Sequence, residues 1–184
     1  MENNGFKNSN INTCKDSHSH FREAIGKTFL SSYINQKIGE KTVPQKVTLE
    51  GLLPTKFILL GEDDPDDQEM LTEVFSSIDK SFILLFVNSG KEVLSALEKL
   101  HENRMPCLIV LDYNMPGLNG AEILREINGN PRYRQVPKIV WSTSGSDKFK
   151  NMCLELGAAD YVIKPSNNLD LEKIARYMLS LCTV

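Results

Sequence analysis

The feature that most constrains this chain is an alternation of short apolar runs with amphipathic stretches, which begins at Thr55. Short continuous apolar runs predict strands that are buried on both faces, and apolar residues at helical spacing predict helices. The predicted strands are Phe57–Leu60, Phe82–Val87, Cys107–Leu111, Lys138–Ser142 and Asp160–Ile163, and the predicted helices are Asp66–Ile78, Lys91–Glu102, Ala121–Asn128, Asp147–Leu156 and Leu169–Leu181.

This alternation predicts an α/β fold, in which a doubly wound, five-stranded parallel sheet carries five helices. Sequence alone does not determine the strand order. Right-handed crossovers and the flavodoxin-like order 2-1-3-4-5 are the default for such a sheet. That order places the first, third and fourth strands side by side at the centre.

Residues 1–54 differ in character from residues 55–184 and are interpreted as an N-terminal extension before a single domain. Met1–Ser19 is rich in Asn, Ser and charge, which predicts disorder. Residues 21–38 space their apolar side chains like one face of a helix, which is either a marginal helix in a tail or a docking helix. Thr42–Pro54 contains Pro and Gly and is interpreted as a linker.

Composition narrows the functional class. The net charge of −3 argues against nucleic acid as the main partner. The longest apolar run, Phe82–Val87, is too short to cross a bilayer, and the polar N-terminus lacks the apolar core of a signal peptide. We therefore expect a cytoplasmic protein without membrane contact. None of the four cysteines forms a C-x-x-C pair, which favours reduced, mostly buried thiols over a disulfide or a zinc site.

Acidic residues follow two of the predicted strands. Glu62, Asp63 and Asp64 come after the first strand, and Asp112 ends the run of the third. Ligands of open parallel sheets bind outside the carboxyl ends of the strands. Asp64 is well placed to cap the next helix, with Pro65 at its first position. Capping needs one side chain, so the remaining carboxylates predict a shared site for Mg²⁺, which would offset their repulsion.

Three further residues lie at or near the ends of the fourth and fifth strands, and each has an ordinary interpretation. Lys164 is either a solvated lysine or an ammonium opposite a phosphoryl group or the acid cluster. Ser142 is a turn or cap residue unless its hydroxyl binds a phosphoryl oxygen. Tyr161 is ordinarily a core tyrosine. The bond between Lys164 and Pro165 is a candidate for the cis form.

Three segments together resemble the CheY-like response-regulator receiver domain. They are Leu60–Asp67 with its acid pair, Leu111–Gly120 with an Asp-x-x-Met-Pro-x-x-x-Gly loop, and Asp160–Pro165 with Lys-Pro. The resemblance covers roughly residues 56–184. Residues 137–144 and 164–167 are similar to the small single-domain regulators that partner phytochrome-type sensor kinases.

The resemblance implies a role for each site residue. Asp112 would be the phosphoacceptor that attacks a phosphohistidine. Asp63 would hold Mg²⁺ directly, Glu62 largely through water, and the backbone carbonyl of Asn114 would complete the metal site together with Asp112. Lys164 would pair with the phosphoryl group.

The resemblance also implies a switch. Ser142 would hydrogen-bond the phosphoryl group after a small inward shift, and Tyr161 would change rotamer with it. Asn114 and Ser144 would border the pocket and tune hydrolysis. Two positions depart from the family pattern: Ser142 replaces the commoner threonine, and Gly61 stands where a branched apolar residue is usual, which predicts that the first strand ends loosely.

The implied function is a stand-alone response regulator of a two-component phosphorelay. Its partner would be a sensor histidine kinase or a histidine phosphotransfer protein, and its output would pass through protein contacts, with a homodimer left open. It would not be an enzyme beyond its own phosphorylation and slow dephosphorylation. One alternative is a receiver fold kept as a non-phosphorylated scaffold. The other is a Mg²⁺-dependent aspartyl-phosphate phosphatase, which Asn114 disfavours because it replaces the second acid of an Asp-x-Asp motif.

Overall fold

The computed structural model of the protein describes residues 56–100 and 104–182. In this part of the chain, strands and helices alternate as the sequence predicts. The strands are β1 Phe57–Gly61, β2 Ile83–Val87, β3 Leu108–Asp112, β4 Lys138–Ser142 and β5 Asp160–Ile163, and the helices are α1 Pro65–Ile78, α2 Gly90–Lys99, α3 Gly120–Asn128, α4 Asp147–Glu155 and α5 Asn168–Ser180. A 3₁₀ turn, Pro131–Tyr133, precedes β4. The predictions for residues 1–54 lie outside the described residues.

The five strands form one parallel sheet in the order β2-β1-β3-β4-β5, so the predicted fold class and strand order are confirmed. The register pairs Leu60 with Val110, Asp112 with Trp141, and Ser142 with Ile163. The carboxyl ends of β1, β3, β4 and β5 therefore lie along the same edge of the sheet, where Glu62, Asp112, Ser142 and Lys164 follow or end them.

The central strands β1, β3 and β4 are buried along their whole length, as their continuous apolar sequences predict. On one face of the sheet, α1 and α5 pack against each other over a single apolar cluster. Burial of each large apolar side chain contributes about 1.5–3 kcal/mol. The fully buried members of this cluster include Ile58, Leu60, Leu71, Trp141 and Met178.

Helix boundaries follow local capping. The Asp64 side chain accepts a hydrogen bond from the Asp66 N–H at 2.9 Å, and Pro65 occupies the first turn of α1, as predicted. The prediction for the second helix was wrong at its end. Leu100 has extended backbone angles and closes α2 after Lys99. Apolar periodicity continues through Leu100 because a residue that caps a helix can still face the core.

Gly61 does not loosen the end of β1, which corrects the expectation drawn from its missing side chain. It is buried and aligned with Val87 of β2 and Leu111 of β3. A Cβ added there would lie 2.8 Å from both Met115 Sδ and Val93 Cγ2. The side chain of Met115, from the loop after β3, occupies the space that a larger residue would need.

The expectation of reduced cysteines was wrong for one pair. Cys107, before β3, and Cys182, after α5, form a disulfide with a Cα–Cα distance of 4.8 Å. Their separation of 75 residues carries no spacing signal, and only the packing of α5 beside the sheet brings them together. Cys153 is a free, buried thiol, as expected. The bond before Pro165 is trans, because no cis peptide occurs in the described residues.

We expect Gly61→Ala to destabilise the fold by about 1–3 kcal/mol, since the added methyl group overlaps Met115 and the stiff side chain of Val93. Urea unfolding monitored by circular dichroism measures this loss. Gly129→Ala is the matched control, because Gly129 has a φ of −68° and an added Cβ there would come no closer than 3.9 Å to a neighbouring atom. It should be neutral or slightly stabilising. Equal unfolding midpoints for Gly61→Ala and wild type would contradict the packing assigned to Met115.

Candidate functional site

The site is centred on the ammonium of Lys164, the residue directly after β5. Its Nζ lies 2.8 Å from Glu62 Oε2, 2.9 Å from Asp112 Oδ2 and 2.6 Å from Asp67 Oδ2. A lysine ammonium has three N–H donors, so the three carboxylates satisfy all of them. Lys164 thus meets carboxylates that lie 52 to 102 residues earlier in the sequence, at the carboxyl edge of the sheet.

The predicted metal-binding carboxylates come together. Carboxylate oxygens of Glu62, Asp63 and Asp112 all lie within 4.8 Å of one another. Glu62 and Asp112 are buried, whereas Asp63 is exposed. An oxygen-only set that is partly open to water suits a hard divalent cation, which keeps several of its own waters. The residues present therefore fit the metal ion that the acid pair and Asp112 predict.

Backbone contacts hold the acid pair and the phosphoacceptor candidate in place. The Glu62 N–H donates to Val87 O at 3.0 Å, which extends the pairing of β1 with β2 by one residue. Gln68 of α1 donates from Nε2 to Glu62 O at 2.6 Å. The Asn114 N–H donates to Asp112 Oδ1 at 2.9 Å. Both oxygens of Asp112 are therefore hydrogen-bonded, one by backbone and the other by Lys164.

The electrostatics follow from three carboxylates sharing one ammonium. Burial raises the pKa of Glu62 to about 7, and the nearby charge of Asp112 acts in the same direction, while Lys164 opposes both. Burial by itself would lower the pKa of Lys164, but its hydrogen bonds to Asp67, Glu62 and Asp112 outweigh this and raise it. The ammonium therefore stays charged at neutral pH, whereas deprotonation of the buried Glu62 carboxyl is disfavoured.

Ser142 and Tyr161 lie in the neighbouring strands β4 and β5. Ser142 is fully buried at the end of β4, where its Oγ accepts a hydrogen bond from the Ser144 N–H at 3.1 Å. The backbone carbonyl of Ser142 accepts a hydrogen bond from the backbone N–H of Lys164 at 2.7 Å. The Tyr161 hydroxyl donates to Ser144 O at 2.8 Å, and its ring is buried. Both residues therefore contact Ser144, in the loop between β4 and α4.

The sequence interpretation missed two features of the site. Asp67 was not assigned a role, because an acidic residue in the first turn of a helix is already explained by the helix dipole. Tyr113 was also missed. Its ring stacks on Phe149 at 4.8 Å between centroids and meets Tyr161 edge-on at 6.4 Å. The only sequence signal for Tyr113 is that it directly follows Asp112.

A parallel 2-1-3-4-5 sheet with an acid pair, a central aspartate and a lysine at its carboxyl edge defines the receiver class of phosphoacceptor domains. Residues 58–176 match the family described as response regulator receiver domain, and the chain belongs to that family. It is thus a two-component response-regulator receiver that signals by phosphorylation, and neither the scaffold nor the phosphatase alternative is favoured. Among the described residues, none of the helices is long and apolar enough to span a membrane.

Known relatives agree with this assignment. Response regulator Rcp1 of Synechocystis sp. is 34% identical over 128 residues, which cover 67% of this chain and 86% of that protein. Its Mn²⁺-bound crystal structure superposes with a TM-score of 0.60 at 34% identity, covering 70% of this chain and 96% of Rcp1. The phosphorylated cyanobacterial phytochrome response regulator RcpA superposes with a TM-score of 0.62 at 29% identity, covering 68% and 94%.

A third structure bears on the metal site. The receiver domain of sensor histidine kinase PA1611 from Pseudomonas aeruginosa PAO1 contains a magnesium ion in its active site cleft. It superposes with a TM-score of 0.56 at 26% identity and covers 68% of this chain and 98% of that domain. Receivers of this family therefore bind a divalent cation, and the acid cluster of this chain has the oxygen ligands to do so.

The raised pKa of Glu62 predicts a loss of stability as pH rises in metal-free buffer. Between the ordinary value of 4.5 and about 7, the folded state keeps a proton on Glu62 that the unfolded state has released. The stabilising contribution of this proton is complete below pH 4.5, and it is lost as the pH rises through about 7. Glu62→Gln has no such proton and should lack this loss.

Urea unfolding of both proteins in EDTA across that pH interval tests the shift. Subtracting the two free energies of unfolding removes the titrations that wild type and Glu62→Gln share. The free energy of unfolding of wild type minus that of Glu62→Gln should decrease as pH rises and then level off. A difference that stays constant with pH would show that Glu62 titrates normally.

Proposed function

We propose that the protein accepts a phosphoryl group on Asp112 from a sensor histidine kinase or a histidine phosphotransfer protein, in a reaction that requires Mg²⁺. The observation that carries the proposal is the contact of Lys164 Nζ with Asp112 Oδ2 at 2.9 Å, within a cluster that Asp112 forms with Glu62 and Asp63. The proposed nucleophile, the Lys164 ammonium and the proposed metal ligands thus lie close together, as the reaction would require.

The proposed step is an in-line displacement. A carboxylate oxygen of Asp112 forms the new O–P bond while the P–N bond of the phosphohistidine breaks, and the imidazole leaves with the bonding electron pair and takes up a proton. Lys164 hydrogen-bonds an equatorial phosphoryl oxygen and offsets its negative charge. Mg²⁺ held by Glu62, Asp63, Asp112 and the carbonyl of Asn114 would neutralise the remaining charge.

The switch would begin at Ser142. The phosphoryl group adds acceptor oxygens. The Ser142 Oγ accepts a hydrogen bond from the Ser144 N–H, and its own O–H would donate to one of these phosphoryl oxygens. Because the Tyr161 hydroxyl donates to the Ser144 carbonyl, a shift of this loop is transmitted to the tyrosine. We propose that this movement changes the surface formed by α4, β5 and α5, through which the protein contacts its target or a second copy of itself. Asn114 and Ser144 would border the pocket and tune hydrolysis.

Mg²⁺ is the proposed cation because the cluster offers only oxygen ligands and Mg²⁺ retains water readily. The similarity to Rcp1 and RcpA supports a phytochrome-type sensor kinase as the partner. A cytoplasmic location fits the proposed transfer from such a kinase, although the Cys107–Cys182 disulfide is uncommon in that compartment. Self-phosphorylation from small phosphodonors and slow self-dephosphorylation complete the proposal.

We expect wild-type protein treated with acetyl phosphate and Mg²⁺ to gain the mass of one phosphoryl group, and Asp112→Ala to gain none. Asp63→Ala should fold normally and lose Mg²⁺-dependent labelling, because a directly coordinating ligand is removed. Intact-protein mass spectrometry measures the gain, and Asp147→Ala, an exposed acid in α4, is the matched control. Labelling of Asp63→Ala at the wild-type rate would refute the metal assignment, and labelling of Asp112→Ala would refute the phosphoacceptor.

Residues 55–184 are proposed to be sufficient for the chemistry, since every site residue lies in that range. Deletion of residues 1–54 should therefore leave the labelling rate within about twofold of the full chain. Circular dichroism first establishes that the truncated chain is folded. A large loss of labelling in a folded truncation would show that the extension contributes to the site.

A further inference from the structure

Asp67 is the one partner of the Lys164 ammonium that lies outside the predicted metal-binding group. Its Oδ2 lies 2.6 Å from Nζ, which is shorter than the contacts that Glu62 and Asp112 make. The carboxylates close enough to share a cation are Glu62, Asp63 and Asp112 among the described residues, and Asp67 is not one of them.

The three partners of Lys164 differ in what the proposed reaction demands of them. Asp112 would become an acyl phosphate, and Glu62 would turn toward the metal ion and its waters. Each carboxylate then has less electron density to offer the ammonium. Asp67 takes part in neither event, so its hydrogen bond to Lys164 can persist while phosphoryl group and metal ion are bound.

The location of Asp67 suits it to this task. It lies in the first turn of α1, whose start is fixed by the Asp64 cap. The next residue, Gln68, donates to Glu62 O at 2.6 Å and to Asn88 Oδ1 at 2.9 Å, which ties this turn to the end of β1 and the loop after β2. Sites built on such rigid elements hold their geometry better than sites built on loops.

We infer that Asp67 is a positioning residue for phosphoryl transfer, which acts by holding the Lys164 ammonium in place over Asp112. The inference rests on the proposed function, since it concerns the same reaction. Asp67 anchors one N–H of Lys164 on the α1 side of the pocket. The remaining N–H groups are thereby directed at Glu62 and at the carboxylate that receives the phosphoryl group, before the donor arrives.

A role of Asp67 in the helix dipole of α1 must be separated from its proposed role in positioning Lys164. Asp66 and Asp67 are both acidic residues in the first turn of α1, and both favour the helix dipole. Only Asp67 bonds Lys164, whereas Asp66 is exposed. Asp66→Ala is therefore a matched control, which removes the same charge from the same turn and leaves the lysine contact intact.

The experiment measures the rate of mass gain from acetyl phosphate at saturating Mg²⁺ for full-length wild type, Asp66→Ala, Asp67→Ala and Asp67→Asn. Saturation is verified for each variant by Mg²⁺ titration of the fluorescence of Trp141, the single tryptophan, whose backbone pairs with Asp112. Circular dichroism verifies the fold. We expect Asp67→Ala to be slower by on the order of tenfold, the scale of a lost hydrogen bond to a charged group, with Asp66→Ala within about twofold of wild type.

Asp67→Asn keeps an oxygen that accepts a hydrogen bond from Lys164. On a logarithmic scale of labelling rate, it should therefore recover at least half of the loss seen in Asp67→Ala. A loss that disappears at saturating Mg²⁺ would overturn the inference, since Asp67 would then act on metal affinity. So would equal rates for Asp66→Ala and Asp67→Ala, or an Asp67→Asn rate no higher than that of Asp67→Ala. A wild-type chain that gains no phosphoryl mass would refute the proposed function, and this role with it.

Discussion

The hydrogen bonds of one ammonium to three carboxylates are the interaction on which the functional site of this protein depends. Without Lys164, the ends of β1 and β3 and the start of α1 would bring several negative charges together in a largely buried pocket. Like charges about 4 Å apart repel by about 4 kcal/mol at an effective dielectric constant near 20. The lysine offsets part of this repulsion. Burial, together with the nearby charge of Asp112, still raises the pKa of Glu62.

The sheet explains why these groups can meet. Parallel strands present all their carboxyl ends at one edge, and the order β2-β1-β3-β4-β5 makes β3 the neighbour of both β1 and β4. The central strands β1, β3 and β4 are buried along their whole length, so apolar packing sets their positions. Apolar packing thus sets the positions of the strand ends, and Lys164 holds the carboxylates together at those ends, where a cation and a phosphoryl group can bind.

Corrections to the sequence interpretation share one physical origin. Gly61 is a weak strand residue by its own chemistry, but Met115 from another segment fills the space above it. Cys107 and Cys182 have no spacing pattern, yet the packing of α5 beside the sheet brings them together. Leu100 continues the apolar period of α2 after the backbone has left the helix. In each case a contact or backbone angle that is not encoded in nearby residues decided the outcome.

The sequence by itself determined the succession of strands and helices, because strand and helix periods are local properties of the chain. It also determined which acids and which lysine follow the strands. A parallel sheet places the carboxyl ends of these strands along one edge, so these residues lie near one another. Only the tertiary structure decided that Asp67 completes the coordination of Lys164 and that Tyr113 stacks on Phe149. These contacts depend on how α1 and α4 are rotated against the sheet, and that rotation is set by core packing among residues distant in sequence.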